Sequence, residues 1–310
     1  MATIVNNYAN TGGNWQDVHY LAKRARRLIF VPKWGNDQTE NTIASVSGVT
    51  KSALQALFDD HQVKDRYYPL PNLDNVENPG REESTFFEWN SGQETFVKDG
   101  KKSFKAMIKV EDGGPALVKK LKEWRGAKFG CYIIDTDKNF HYYLDEAGTI
   151  VKPMPIDGDR FDVRWIEPTD EGPGMIEISF NFADEMEDGN LRYIDYNGGS
   201  GLDFDGTDYD DVYALWDVSL TEVSNSLTTI TVNVKTDYDI PVTGLALADF
   251  YLYNTTDSAE ITITNLAEST TTSGQYVLTF ASQDASDAYT LRINKSKYDY
   301  ADTVSGTLTA

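Results

Sequence analysis

Cysteine is almost missing from this sequence. Cys131 is the single thiol in 310 residues, so no intramolecular disulfide can form and no zinc site can be built from cysteines. One free thiol suits a reducing compartment. Histidine is nearly as scarce. His19, His61 and His141 lie in different segments, none with a second histidine or a carboxylate at i+3 or i+4 within a helix that would form a metal-binding face, so each is expected to be structural rather than a ligand. No apolar run approaches the ~18–20 residues of a membrane span. The first residues, Met1–Tyr8, have neither the basic nor the apolar region of a signal peptide. No membrane partner and no cleavable leader are therefore expected. Gly-x-Ser-x-Gly and P-loop patterns are absent too, which removes support for the corresponding hydrolase and nucleotide-binding folds. No catalytic residue and no cofactor are expected.

Positive charge is the other shortage. There are 28 Lys+Arg against 49 Asp+Glu, a net charge of −21, so the whole chain has no electrostatic attraction to nucleic acid or to anionic lipid. Aromatic residues make up 12%, which excludes a disordered acidic tail. The carboxylates are too many for any one pair to stand out as a glycosidase pair. An enzyme acting on polysaccharide is therefore only the minor alternative.

The deficit is uneven. Residues 196–310 hold only 4 of the basic residues and 17 of the acidic ones, and are rich in Thr and Ser. At the change of composition stands Asn197-Gly198-Gly199-Ser200-Gly201, a flexible linker by composition. The chain divides there into a first domain (1–196), a Gly/Asp-rich linker (197–211) and a second domain (212–310). Within the linker, Asp203, Asp205, Asp208 and Asp210 are weak candidates for calcium. The EF-hand spacing fails, because position six is Asp208 and position twelve is Ala214. A solvated hinge is the alternative.

The first domain is expected to be α+β, an antiparallel sheet or sandwich with packed helices. Arg27–Val31 is an apolar run stopped by Pro32. Val49–His61 is predicted to be a helix capped by Thr50, with Ala53, Leu54, Leu57 and Phe58 as its apolar stripe. A Pro/Asn-rich loop is expected over Pro69–Arg81. A β-meander follows over Ser84–Trp89, Thr95–Lys98 and Ser103–Val110. Pro115–Trp124 is predicted to be a second helix, with Pro115 at its first position and Gly126 beyond its end. Strands are then expected at Phe129–Ile134, Phe140–Leu144, Ile150–Ile156, Arg160–Ile166 and Met175–Phe182. Cys131 falls in the apolar run and is expected in the core.

The second domain is expected to be all-β. Its seven short strands are Val212–Ser219, Thr228–Lys235, Phe250–Tyr253, Ile261–Leu266, Tyr276–Phe280, Tyr289–Asn294 and Thr303–Thr309, a number and spacing that fit an immunoglobulin-like sandwich. One basic cluster, Lys23, Arg24, Arg26 and Arg27, breaks the acidic trend. It has no interleaved aromatics. It reads as a strip that meets an acidic neighbour, including another copy of the chain, or as a solvated face.

Two resemblances add to this reading. The second domain resembles the bacterial immunoglobulin-like modules of surface proteins and phage virions. Ile230–Val234, Pro241-Val242-Thr243-Gly244-Leu245 with Asp249-Phe250, Ser273–Leu278 and Tyr289–Ile293 carry that resemblance. It implies a β-sandwich, an exposed location and weak surface or glycan binding. The first domain resembles a tail tube or tail-ring subunit of a tailed bacteriophage. That resemblance rests on an extended N-terminal arm, a β-meander holding Phe104–Val110, the central amphipathic helix Pro115–Trp124 and a return to strands ending at Met175–Phe182. It implies a homo-oligomeric, hexameric ring in a virion assembled in the host cytoplasm. It also implies other tail or neck proteins as partners, and DNA passing only transiently through the lumen. The arm Met1–Arg27, with Lys23, Arg24, Arg26 and Arg27, and the loop holding Pro69 and Pro71 are the candidate assembly contacts. A neck or tail ring, a capsid decoration protein and a glycan-binding surface protein are the alternatives.

Overall fold

The computed structural model describes residues 25–60, 62–77, 85–88, 94–98, 100–136, 139–145, 148–170, 172–186, 190–194, 216–236, 239–295, 298–299 and 303–309. Its strands in chain order begin with β1 (Ala25–Pro32), β2 (Tyr68–Pro69), β3 (Leu73–Glu77), β4 (Thr85–Glu88), β5 (Glu94–Lys98) and β6 (Ser103–Lys109). They continue with β7 (Phe129–Asp135), β8 (Phe140–Leu144), β9 (Val151–Lys152), β10 (Met154–Ile166), β11 (Met175–Phe182) and β12 (Leu191–Ile194). Helix α1 (Lys51–Phe58) lies between β1 and β2, and α2 (Val110–Lys122) between β6 and β7. Nine further strands follow: β13 (Trp216–Asn225), β14 (Thr229–Thr236), β15 (Phe250–Asn254), β16 (Ala259–Glu260), β17 (Ile263–Glu268), β18 (Gln275–Phe280), β19 (Ala288–Ile293), β20 (Tyr298–Asp299) and β21 (Val304–Thr307).

Ten strands form one sheet. Its path is β12-β8-β7-β10-β11-β6-β3, with β1 beside β7, β2 beside β1 and β9 beside β8. All its ladders are antiparallel. β1 and β7 are apolar along their length because both faces of the sheet are covered there. Successive side chains alternate between two cores, as the period of two requires. Leu28, Phe30, Cys131 and Ile133 enter one core, with Val118 and Leu121 of α2. Ile29, Val31, Tyr132 and Ile134 enter the other, with Leu54 and Phe58 of α1.

α1 starts where its cap places it: the Thr50 hydroxyl accepts from the Ala53 amide at 3.2 Å. α2 is broken at Gly114 (φ 58°, ψ −173°), and Pro115 opens its regular part. A left-handed φ suits glycine, and the fixed φ of proline suits the first helical turn.

Three local expectations are corrected. The Pro69–Arg81 segment contains β2 and β3 rather than an uninterrupted loop, because Ile29↔Pro69 and Leu73↔Ile108 pairings recruit it into the sheet. The meander is not formed. β4 and β5 pair with each other alone, whereas β6 pairs with β3 and β11. Asp157-Gly158 does not end a strand. β10 runs through it with a bulge between Asp157 and Asp162, and Gly158 allows what a side chain would not: a Cβ there would lie 2.0 Å from the Ala127 carbonyl oxygen.

Strands β13–β21 form two sheets, β17-β18-β14-β13-β20 and β16-β15-β19-β21. Their inward residues, among them Ile230, Val232, Val234, Leu252, Leu278, Leu291 and Ile293, share one separate core. Polar residues alternate with them along β14, β18 and β19. The described fold is thus mostly antiparallel β.

Candidate functional site

The sequence candidates scatter. Lys23 and Arg24 lie outside the described residues, as do Asp203, Asp205, Asp208, Asp210, the linker 197–211, His19 and His61. Arg26 and Arg27 stand in β1, where Arg27 is buried and Arg26 half-buried. Pro69 is buried in β2, and Pro71 is half-buried just after it. Pro69 lines a cavity.

That cavity, of about 670 Å³, lies where β1, β2 and α2 of the large sheet meet Asp217 of β13 and Asp299 of β20. Its wall is apolar: Phe30, Leu70, Leu117, Leu121 and Trp124 line it. The Trp124 ring stands edge-on to Tyr68 at 5.2 Å and packs against Phe30 at 5.5 Å. Charged side chains gather around this wall. Lys64, Arg66, Lys119, Lys120 and Lys128 outnumber Glu123, Asp217 and Asp299.

Local structure explains how these groups converge. The turn after α1 is held by the 33–41 loop. Asn36 donates from its amide to Asp65 Oδ1 at 3.0 Å, and Asn41 Nδ2 donates to the Lys64 carbonyl at 2.6 Å. Arg66, 5% exposed, follows directly. Its Nε donates to the Asp60 carbonyl at 2.5 Å, and its Nη1 meets Asp299 Oδ2 at 2.7 Å. The guanidinium also lies over the Tyr68 ring at 5.8 Å. Across the cavity, Lys120 of α2 pairs with Asp217.

Asp217 and Asp299 are register partners in the parallel pairing of β13 with β20. Two carboxylates side by side repel unless cations intervene, and Arg66 and Lys120 supply one cation for each. This double ion pair joins α2 and the turn after α1 to the five-stranded sheet that holds β13 and β20. Burial, together with Asp217, Asp299 and Asp60, raises the Tyr68 phenol to about 12 against the opposing pull of Arg66. The phenol therefore stays a neutral donor, and its hydroxyl donates a hydrogen bond to the Val63 carbonyl at 2.7 Å.

A second buried polar group is Asp135–His141, with Oδ2 to Nε2 at 2.9 Å. Asp135 also accepts from the Asn139 amide at 2.9 Å and from Asn139 Nδ2 at 3.0 Å. The carboxylate closes the turn between β7 and β8. Cys131 is fully buried, and burial pushes its thiol far above the ordinary range, where it is inert as a nucleophile. Among the described residues there is no cluster of three His, Cys, Asp or Glu able to hold a metal, and no helix long and apolar enough to cross a membrane.

Sequence reasoning missed the cavity. Its cations come from the turn after α1, from α2 and from the approach to β7, and no spacing rule links them. The available signal was Lys119 and Lys120 of α2 with Trp124 just beyond its end, which reads equally well as a solvated helix face. No protein-family model matches the chain, and no curated protein sequence matches it significantly.

Proposed function

We propose that the chain is a structural subunit of a tailed-phage virion: a tail tube protein that stacks as rings around the DNA-ejection conduit and carries an immunoglobulin-like sandwich outward. The observation that carries this reading is the β4–β5 hairpin. It forms a two-stranded sheet of its own, Phe86 opposite Phe96, although the strands flanking it in sequence, β3 and β6, both belong to the ten-stranded sheet. A lone two-stranded hairpin is marginally stable in water, and its free edges invite pairing with another chain. A neighbouring subunit in a ring or stack supplies the missing surface.

The outward sandwich is supported by strand order. With β13, β14, β18 and β17 taken as strands A, B, E and D, one sheet reads A-B-E-D. With β16, β15, β19 and β21 taken as C′, C, F and G, the other reads C′-C-F-G. Apart from β20, which pairs with β13 at the edge of the first sheet, this order matches the one expected of an immunoglobulin-like sandwich. The α+β reading of the first domain is supported by α1 and α2 on opposite faces of the ten-stranded sheet. Other tail or neck proteins are the further partners, and DNA touches the subunit only in passage.

Purified protein is expected to form rings or tubes visible by electron microscopy and light scattering. A variant in which residues 85–98 are replaced by a short Gly-Ser linker is expected to remain monomeric with an unchanged far-UV spectrum. A strictly monomeric wild-type protein at high concentration, or equal assembly by the hairpin-less variant, overturns the proposal.

A further inference from the structure

The Arg66 guanidinium is held on two sides. Nε is fixed by the Asp60 carbonyl and Nη1 by Asp299. Nη2 is buried and has no hydrogen-bond partner among the described residues. A buried cationic donor without an acceptor is costly, and such groups are rare enough in folded proteins to require an explanation. Arg66 lines the cavity of about 670 Å³, a volume typical of small-molecule sites. The same cavity offers an apolar wall of Phe30, Leu117, Leu121 and Trp124 and a basic rim of Lys64, Lys119 and Lys128. These three lysines are exposed. In a chain of net charge −21, this is a local excess of positive charge around an apolar surface.

We propose that this cavity binds a small aromatic anion, a carboxylate or sulfonate whose oxygen accepts from Arg66 Nη2 and whose ring lies on the Trp124 wall. Guanidinium is suited to the task because its donors sit in a rigid plane that matches such oxygens. The rim lysines add attraction without fixing geometry. The site does not depend on assembly of the chain into rings, so it stands or falls separately from the virion reading.

The probe is 8-anilinonaphthalene-1-sulfonate, whose emission rises in apolar surroundings. The full chain is expected to bind it saturably at one site per chain. Affinity is expected to fall about tenfold in Lys119→Glu and in Lys128→Glu, where the rim charge is reversed. It is expected to stay unchanged in Lys122→Glu, which alters the same helix away from the cavity. Arg66→Met should abolish binding. Because that change also breaks the contact with Asp299, the two exposed-lysine variants decide the question. Benzoate should displace the dye at lower concentration than inorganic phosphate. Absence of saturable binding, equal affinity in Lys119→Glu, Lys128→Glu and the wild type, or displacement by phosphate as effective as by benzoate overturns the proposal.

Discussion

Asp135 shows how a single residue can set a pH limit. Burial alone would raise its pKa, but hydrogen bonds from His141 and from Asn139 hold it below its ordinary value of 3.8. A carboxyl depressed in the folded state contributes stability above its unfolded pKa and loses it as pH falls through the folded value. Asp135→Asn should therefore lower stability at pH 7 and flatten its decline between about pH 5 and pH 2. Urea unfolding across that range checks this, and an unchanged pH profile would count against it. The pairing was not legible in the sequence. His141 meets Asp135 through the register of β7 with β8, Ile133↔His141 and Ile134↔Phe140, which no local pattern encodes. Cys131 was legible, because an apolar run on both sides of a small residue leaves it nowhere to go but inside.

At the scale of elements, apolar runs and turn residues read well where local rules decide. The Thr50 cap, the Pro115 start and the alternation of β14 are each stated by a few neighbouring residues. Partner choice reads poorly. β6 could be recognised as a strand, yet its neighbours are β3 and β11 rather than the adjacent β5, because burial of Phe104, Ala106 and Ile108 beside Ile176, Ile178 and Phe180 outweighs proximity in sequence. The bulge in β10 was misread for a related reason. Asp157-Gly158 has turn chemistry, but glycine is needed there for the close approach of Ala127, whose neighbour Gly126 donates to the Gly158 carbonyl at 3.0 Å. Gly158→Ala should destabilise the fold by about 1–3 kcal/mol, the range for forcing extra atoms into a packed site. Gly148→Ala, where a Cβ meets nothing within 4 Å but φ is +72°, should cost about 1 kcal/mol from backbone strain alone. Thermal melting of the two variants compares crowding with strain, and a larger loss at Gly148 would reverse the ranking.

For the whole molecule, charge is organised by place rather than by total. The acidic excess sits mainly after residue 196, while the cations that matter most for cohesion, Arg66 and Lys120, reach from the large sheet to Asp299 and Asp217. Asp299→Ala leaves Arg66 buried beside an absent partner and should cost about 3–5 kcal/mol. Limited proteolysis should then release a fragment beginning near residue 196 more readily than from wild type; identical cleavage rates would remove the buried pair from this role. The composition break between the two halves was legible, but the clamp was not, since its four members are spread from residue 66 to residue 299. The parallel β13–β20 pairing gives that clamp a mechanical meaning. Tension drawn between the incoming strand β13 and the chain beyond β20 runs along the two strands and loads their hydrogen bonds together in shear, instead of opening them one at a time. Because Asp217 and Asp299 are themselves the paired residues, a pull on the sandwich is transmitted through Lys120 and Arg66 into α2 and the turn after α1, so the walls of the cavity carry the strain first.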